Sequence, residues 1–224
     1  MTEFHEYSRY WQRKQLLRDS VPRFPVRRWW ETELPCEIER VYFEAIKNSP
    51  TLLDIGAGDM RLKQRLQTAG YQGAYDTQDI GDEYSYTYNC LSEVKKNYGA
   101  ILCMDVIEHL TLRDGLKLLD TLISLLTTDG VLVLQTPNAR CVRHPLSTDM
   151  THLHCYNIED LWVYLTSLGL SVEGYRIIFR NPRFSLFNRL RFLVSAYITT
   201  RLLGCDYADN ILLIARKPAV PKAQ

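Results

Sequence analysis

The stretch Thr51-Leu52-Leu53-Asp54-Ile55-Gly56-Ala57-Gly58-Asp59-Met60-Arg61 constrains this chain more than any other. An apolar run ahead of Asp54 reads as a short strand covered on both faces. Gly56 and Gly58 let the backbone turn sharply and approach a ligand closely, because neither carries a Cβ. Leu62, Leu66 and Ala69 then recur at helical spacing. Strand, glycine turn and helix in this order put a ligand at the carboxyl end of the first strand of an open α/β sheet.

The same residues narrow the ligand. A dinucleotide fingerprint needs a third glycine three positions after Gly58, where this chain has Arg61. No Gly-Lys-Ser or Gly-Lys-Thr follows, so a phosphate loop is absent. Asp54 and Asp59 make the turn acidic, which disfavours a polyphosphate and suits an ammonium group with ribose hydroxyls. The Asp-x-Gly-x-Gly form resembles the first motif of class I S-adenosylmethionine (SAM)-dependent methyltransferases. That resemblance implies SAM as cofactor, its methionine part held by the loop Asp54, Gly56, Ala57 and Gly58. It also implies an acid at the end of the second strand for the ribose diol, since a carboxylate accepts from both hydroxyls. Asp76 and Asp79 follow Asp54 by 22 and 25 residues. The run Thr77-Gln78-Asp79-Ile80 looks more like the family's strand end, so Asp79 is the first choice and Asp76 the second. Near the adenine the family often has an acid, whereas this chain has Asn89-Cys90-Leu91. Adenine recognition then falls to backbone groups around Cys90 and Leu91, or to Asn89.

A second signature follows the apolar strand Ala100–Met104. Asp105-Val106-Ile107-Glu108-His109-Leu110 resembles the Glu-His-Leu motif of ubiquinone-biosynthesis O-methyltransferases and many small-molecule and glycan methyltransferases. It differs from the Asn/Asp-Pro-Pro-Tyr motif used on exocyclic amino groups of bases. Asp105 joins the cofactor set. His109 is a candidate base, since a neutral imidazole takes a proton from a hydroxyl near neutral pH. Glu108 would orient a histidine or the substrate. The competing structural reading has both residues capping the next helix. After the strand Val131–Gln135, Thr136-Pro137-Asn138 matches a turn that lines the family's substrate mouth. The long loop 139–157 holds His144, His152 and His154, three of the five histidines. His152 is the first choice for catalysis or substrate contact and His154 the second; on an extended segment both face the same side. With Glu108 and His109 they could form a divalent-metal site of mixed N and O ligands; the expectation is that no metal is held there.

Composition excludes several classes. A net charge of +1 gives no global field for nucleic acid or an anionic membrane. The six cysteines are scattered with no Cys-x-x-Cys pair, so zinc and a disulfide scaffold are not expected. The first twenty residues are too polar for a signal peptide, and no run reaches the length of a membrane span. The expectation is a cytoplasmic enzyme.

Residues 1–50 read as a helical extension or cap, with helices at Glu6–Leu17 and Glu37–Lys47. Between them Arg23 to Trp30 mixes basic and aromatic residues, read as packing in preference to contact with a base or phosphate. The domain itself is set at 51–217, and a flexible tail at 218–224. Further strands are expected at Gly73–Ile80, Tyr84–Leu91, Leu170–Phe179 and Asn210–Ala215, and helices at Leu112–Thr127 and Ile158–Leu168. Phe184–Leu203, rich in Phe, Leu and Ile with interspersed arginines, reads as a helix inserted before the last strand. Its expected uses, in order, are a substrate lid, a homodimer surface and a membrane-surface helix. Together these elements give an α/β, doubly wound, Rossmann-like, seven-stranded, mainly parallel sheet with an antiparallel last strand.

The first function this supports is methyl transfer from SAM to a hydroxyl of a small molecule or glycan, with a histidine as base. A second is a metal-dependent RNA 3′-end 2′-O-methyltransferase. Small-RNA enzymes of that kind resemble Val-Ile-Glu-His-Leu, Thr-Pro-Asn and the later Asp-x-x-His stretch. Asp105, Glu108, His109 and His152 would correspond to their ligands, with Asp105 where they have Glu. A third is a noncatalytic SAM-fold module binding a partner through residues 184–203.

Overall fold

The apolar runs become neighbours in one sheet. The computed structural model describes residues 26–27, 35–177 and 186–219. Its elements are β1 (Val26–Arg27), α1 (Pro35–Ile46), β2 (Thr51–Ile55), α2 (Arg61–Thr68), β3 (Ala74–Gln78) and β4 (Tyr98–Met104). They continue as α3 (Leu112–Ser124), β5 (Leu126–Pro137), α4 (Ile158–Ser167), β6 (Ser171–Ile177), α5 (Leu186–Arg201) and β7 (Asn210–Arg216). Short 3₁₀ turns lie at Leu91–Glu93, Ile107–His109 and Pro145–Ser147.

The strand order is β1-β6-β7-β5-β4-β2-β3. All pairs are parallel except those of β7, which runs antiparallel to both β5 and β6. The expected α/β architecture with an antiparallel last strand is therefore present. Its membership differs: six strands have five residues or more, and the two-residue β1, from ahead of the glycine turn, completes the seven.

The third strand expected at Tyr84–Leu91 does not form. Only Tyr88 bridges to Gln78, and the residues before it are mostly exposed. The alternating tyrosines have separate anchoring roles in place of a pleat. The Tyr86 hydroxyl donates to the Gly58 carbonyl at 2.8 Å, and Tyr88 packs against the core. Glu6–Leu17 and most of Arg23–Trp30 lie outside the described residues, as does 220–224.

Period-two alternation divides the core into two layers. Leu53, Ile101, Cys103, Leu132, Leu134 and Leu213 face α3 and α4, which contribute Leu116, Leu119, Leu122, Leu161 and Leu165. Leu52, Ala100, Leu102, Val133 and Leu212 face α1 and α2, which contribute Tyr42, Ile46 and Leu66. Both coverings explain why the strands read as unbroken apolar runs. The helices start where capping residues allow. Thr111 accepts from the Asp114 N–H at 3.2 Å at the head of α3, and Asn157 from the Asp160 N–H at 2.8 Å at the head of α4.

Gly115, inside α3, serves packing. A Cβ there would stand 2.2 Å from the Tyr156 hydroxyl, so the glycine forms a notch in which the end of the 139–157 loop seats. Asn138 bridges to Tyr156 and donates to the Ala208 carbonyl at 3.1 Å, which closes that loop onto the sheet.

Leu132 is fully buried at the middle of β5. Leu132→Ala should lower unfolding free energy by about 2–5 kcal/mol, measured by urea titration, because the surrounding layers cannot collapse into the space.

Candidate active site

The carboxyl ends of β2, β3, β4 and β5 open on the same edge, and the sequence-predicted residues gather there. At the end of β2 the chain turns through left-handed backbone, with φ of 68° at Gly56, 49° at Gly58 and 64° at Met60. A Cβ on Gly56 would come within 2.4 Å of Val106 Cγ2, so the residue must be glycine for the β4 loop to close on the turn. The Gly56 and Ala57 N–H groups both donate to the Gln78 carbonyl, at 2.9 and 3.2 Å. Arg61 pairs with Asp59 on the surface and stays out of the turn.

Asp54 lies beneath this turn, 1% exposed, and accepts from the Tyr75 hydroxyl at 2.7 Å. Burial outweighs that hydrogen bond and pushes its carboxyl up to about 7.

The two candidate ribose acids are well separated in role. Asp79 accepts from the Gly58 N–H at 2.8 Å through one oxygen and from the Gly81 N–H at 2.9 Å through the other. It thus adjoins the glycine turn, and each oxygen retains lone-pair capacity. Asp76 accepts from the Tyr98 hydroxyl at 2.7 Å and pairs with Lys96 at 2.6 Å. Partial burial raises its carboxyl, but Lys96 and Tyr98 outweigh this and hold it below the ordinary range. Asp76 is tied down within the strand; Asp79 stands at its end.

Cys90 is exposed and Leu91 opens the Leu91–Glu93 turn, where Glu93 accepts from the Asn89 N–H at 3.0 Å. Ile80, which sequence reasoning passed over, follows Asp79 with 90% of its surface exposed.

Asp105 adopts φ of 54°, strained for a residue with a Cβ. Both its oxygens are engaged, by Gln135 Nε2 at 2.7 Å and Asn210 Nδ2 at 3.0 Å. No spacing rule links Asp105 to Asn210, which β7 brings alongside β5 from far along the chain.

Glu108 is 1% exposed. Its Oε2 accepts from Thr136 Oγ1 at 2.9 Å, while Oε1 is buried without a hydrogen-bond partner. Burial raises this carboxyl to about 7. Its main-chain carbonyl accepts from the Leu153 and His154 N–H groups at 2.7 and 3.1 Å, strapping the loop to the strand end.

That strap brings His152 to His109, with ring centroids 4.9 Å apart in an edge-to-face arrangement. His109 Nδ1 lies 3.3 Å from the Thr151 carbonyl and 3.0 Å from its hydroxyl. His152 Nδ1 lies 3.0 Å from the Pro145 carbonyl. A carbonyl only accepts, so each Nδ1 carries a proton; in the neutral form of such a ring the lone pair lies on Nε2. Ligand atoms of Glu108, His109 and His152 lie within 4.8 Å of one another, the one such group of three or more among the described residues. His154 is not part of it. Its ring packs edge-on against Tyr156 at 4.7 Å, and burial lowers its basicity. The segment from His152 to His154 is not a plain extended strand, since the successive Leu153 and His154 N–H groups both turn to the Glu108 carbonyl.

Beside this cluster Pro137, Cys141, Arg143, Pro145, Thr148 and Asn210 line a cavity of about 480 Å³.

A family model described as "Methyltransferase domain" matches residues 26–174. The chain belongs to that family. It is a class I SAM-dependent methyltransferase, as the glycine turn and the Glu108–Leu110 motif implied. No curated protein matches the methyltransferase in sequence. A solved SAM-dependent methyltransferase from Archaeoglobus fulgidus superposes with a TM-score of 0.62 at 16% identity, covering 94% of this chain and 98% of that one. The plantazolicin methyltransferase BpumL, in complex with a monoazolic desmethylPZN analog and SAH, gives 0.55 at 14% identity, covering 95% and 93%. The methyltransferase domain of a bacterial CtHen1 gives 0.54 at 12% identity, covering 81% and 97%. At these identities the likenesses show the fold.

The raised Asp54 carboxyl links stability to pH. The folded methyltransferase holds this proton more tightly than the unfolded chain, so the group costs stability as pH rises from its ordinary carboxylate range toward about 7. Urea midpoints should therefore fall between about pH 5 and pH 7, with about 1–2 kcal/mol from this carboxyl. Asp54→Asn should reduce that slope, with the buried Glu108 carboxyl, also raised to about 7, supplying the remainder; an unchanged slope would show that the Asp54 carboxyl is not a source.

Proposed function

We propose that this methyltransferase moves a methyl group from SAM to a hydroxyl of a small molecule or glycan, with His109 or His152 accepting the proton. The observation that carries the reading is the histidine pair at the carboxyl edge, each ring with Nδ1 turned to a main-chain carbonyl and Nε2 left as a lone pair.

The donor site fits SAM in its residues. The turn from Gly56 to Gly58 keeps its backbone free of any Cβ at two positions, and Val106 closes behind it. Asp79 accepts the ribose hydroxyls while remaining anchored to Gly58 and Gly81. Ile80 offers an apolar surface for a base. Asn89 and the backbone at Cys90 and Leu91 supply polar contacts. When bound, SAM supplies a methyl carried on a sulfonium, which departs as a neutral thioether. Structures of the plantazolicin methyltransferases with SAH support the same donor for this fold.

With the methyl already activated, the protein has two tasks: to align a nucleophile and to take its proton. The cavity beside Pro137, Arg143 and Asn210 suits a compact polar acceptor. Asp105, fixed at both oxygens, orients Asn210 at its wall. Nε2 of His152 or His109 accepts the hydroxyl proton as the oxygen lone pair forms its new bond to carbon. Glu108 holds the loop bearing His152 through its main chain, and a carboxylate oxygen of it lies within 4.8 Å of a ring nitrogen of each histidine.

A second reading has one observation of its own. Glu108, His109 and His152 converge closely enough to hold a divalent cation, and a ligating histidine commonly donates its other N–H to a carbonyl, as both do here. The small net charge of the chain weighs against an RNA acceptor.

Two measurements test the donor and base assignments. Asp79→Ala should weaken SAH binding about 10- to 100-fold by calorimetry, with Asp76→Ala close to wild type; the reverse ranking would move the ribose to Asp76. His152→Ala should keep SAH binding while SAH release in the presence of hydroxylated acceptors falls by about 10²-fold or more. Wild-type turnover that a chelator abolishes and Mn²⁺ restores would favour the metal reading, and unchanged turnover in the variant would return His152 to a structural role.

A further inference from the structure

The helix α5 carries its larger apolar face on the outside. Phe192 and Ala196 are buried against the body. On the opposite side Leu186, Leu190, Leu193, Val194, Tyr197 and Ile198 are all exposed, between 42% and 86%. Placed at 100° per residue, these six cover one continuous arc; Leu193, Val194 and Tyr197 at its edge line a cleft shared with Arg140, Arg176 and Tyr207, and Leu186, Leu190 and Ile198 stay exposed outside that cleft. Leu202 and Leu203 extend it beyond the helix end. A contiguous apolar patch of this kind is covered in use.

Charge selects the cover. Residues 174–205 contain six arginines, Arg176, Arg180, Arg183, Arg189, Arg191 and Arg201, and no acidic residue, in a chain with a net charge of +1. Arg176 is paired with Asp206 at 2.6 Å. Arg191 and Arg201 are exposed at the edge and the end of the apolar arc, one helical turn from Val194 and Tyr197. A symmetric contact between two copies of this face would oppose like charges. An anionic lipid surface satisfies both features. The apolar arc enters the boundary between headgroups and acyl chains, and the exposed Arg191 and Arg201 meet lipid phosphates.

We propose that α5 docks this methyltransferase on an anionic membrane surface, lying in the interface without crossing it. No described helix is long and apolar enough to cross. The inference does not depend on which hydroxyl is methylated. Its consequence for the enzyme is that acceptors carried on or near lipid are favoured over freely diffusing ones.

The test is co-sedimentation of the full chain with vesicles of phosphatidylcholine alone and of phosphatidylcholine mixed with phosphatidylglycerol, at low and high salt. Partition should rise about tenfold with the anionic lipid and fall with salt. Leu190→Glu combined with Val194→Glu should abolish it, and Leu186→Gln should weaken it. All three positions are exposed, and SAH calorimetry checks independently that the donor site stays intact. Equal partition of wild type and double variant would overturn the proposal. So would absence of vesicle binding, whether it accompanies a concentration-dependent dimer in sedimentation velocity that the double variant dissolves or a change only in KM for a soluble acceptor.

Discussion

The burial of the Glu108 carboxyl governs the catalytic edge of this protein. An acid at 1% exposure is tolerated because its main chain and side chain are used in separate directions. The side chain takes a hydrogen bond from Thr136, which ties the end of β4 to the end of β5. The carbonyl takes two from the 153–154 backbone, which ties in the loop. The remaining oxygen is left unsatisfied, an expense of roughly 1–3 kcal/mol in a buried site. Neither histidine would lie where it does without this junction, since His109 follows Glu108 directly and His152 precedes the strapped residues.

Much of this was legible from residues alone, for a physical reason. The glycine turn needs backbone conformations and clearances that few sequences provide, and Gly56 does occupy left-handed backbone against Val106. The doubly covered strands are set by local chemistry, and their apolar runs show in the sequence accordingly. The failures are contacts made at a distance. Tyr84–Leu91 looks like a strand by its period, but its tyrosines alternate because Tyr86 supports Gly58 and Tyr88 supports the core. Asp105 belongs with Gln135 and Asn210 only because an antiparallel strand returns beside β5. His152 and His154 have different neighbours because Leu153 and His154 both turn their N–H groups to the Glu108 carbonyl, which simple alternation along an extended segment does not foresee.

Donor and acceptor sides of the edge are built differently. The donor side rests on main-chain hydrogen bonds between the β2 turn and the β3 end, with Asp79 as the shared acceptor. Such an arrangement is fixed before any ligand arrives. The acceptor side rests on a long loop whose histidines are held by carbonyls at Pro145 and Thr151. Substitutions within that loop can alter the cavity while the donor turn stays unchanged. The inserted helix stands outside both, with its own charge and apolar surface, so it can set where the enzyme resides without entering either site.

The notch at Gly115 has a consequence for rebuilding this enzyme. A glycine in mid-helix weakens α3 by about 1 kcal/mol relative to alanine, yet the Tyr156 ring uses the vacated space. Loop and helix are therefore a matched pair. Transplanting the histidine-bearing loop onto a related scaffold would succeed only if the recipient helix offered the same recess, and an alanine there would lever the grafted segment off its seat.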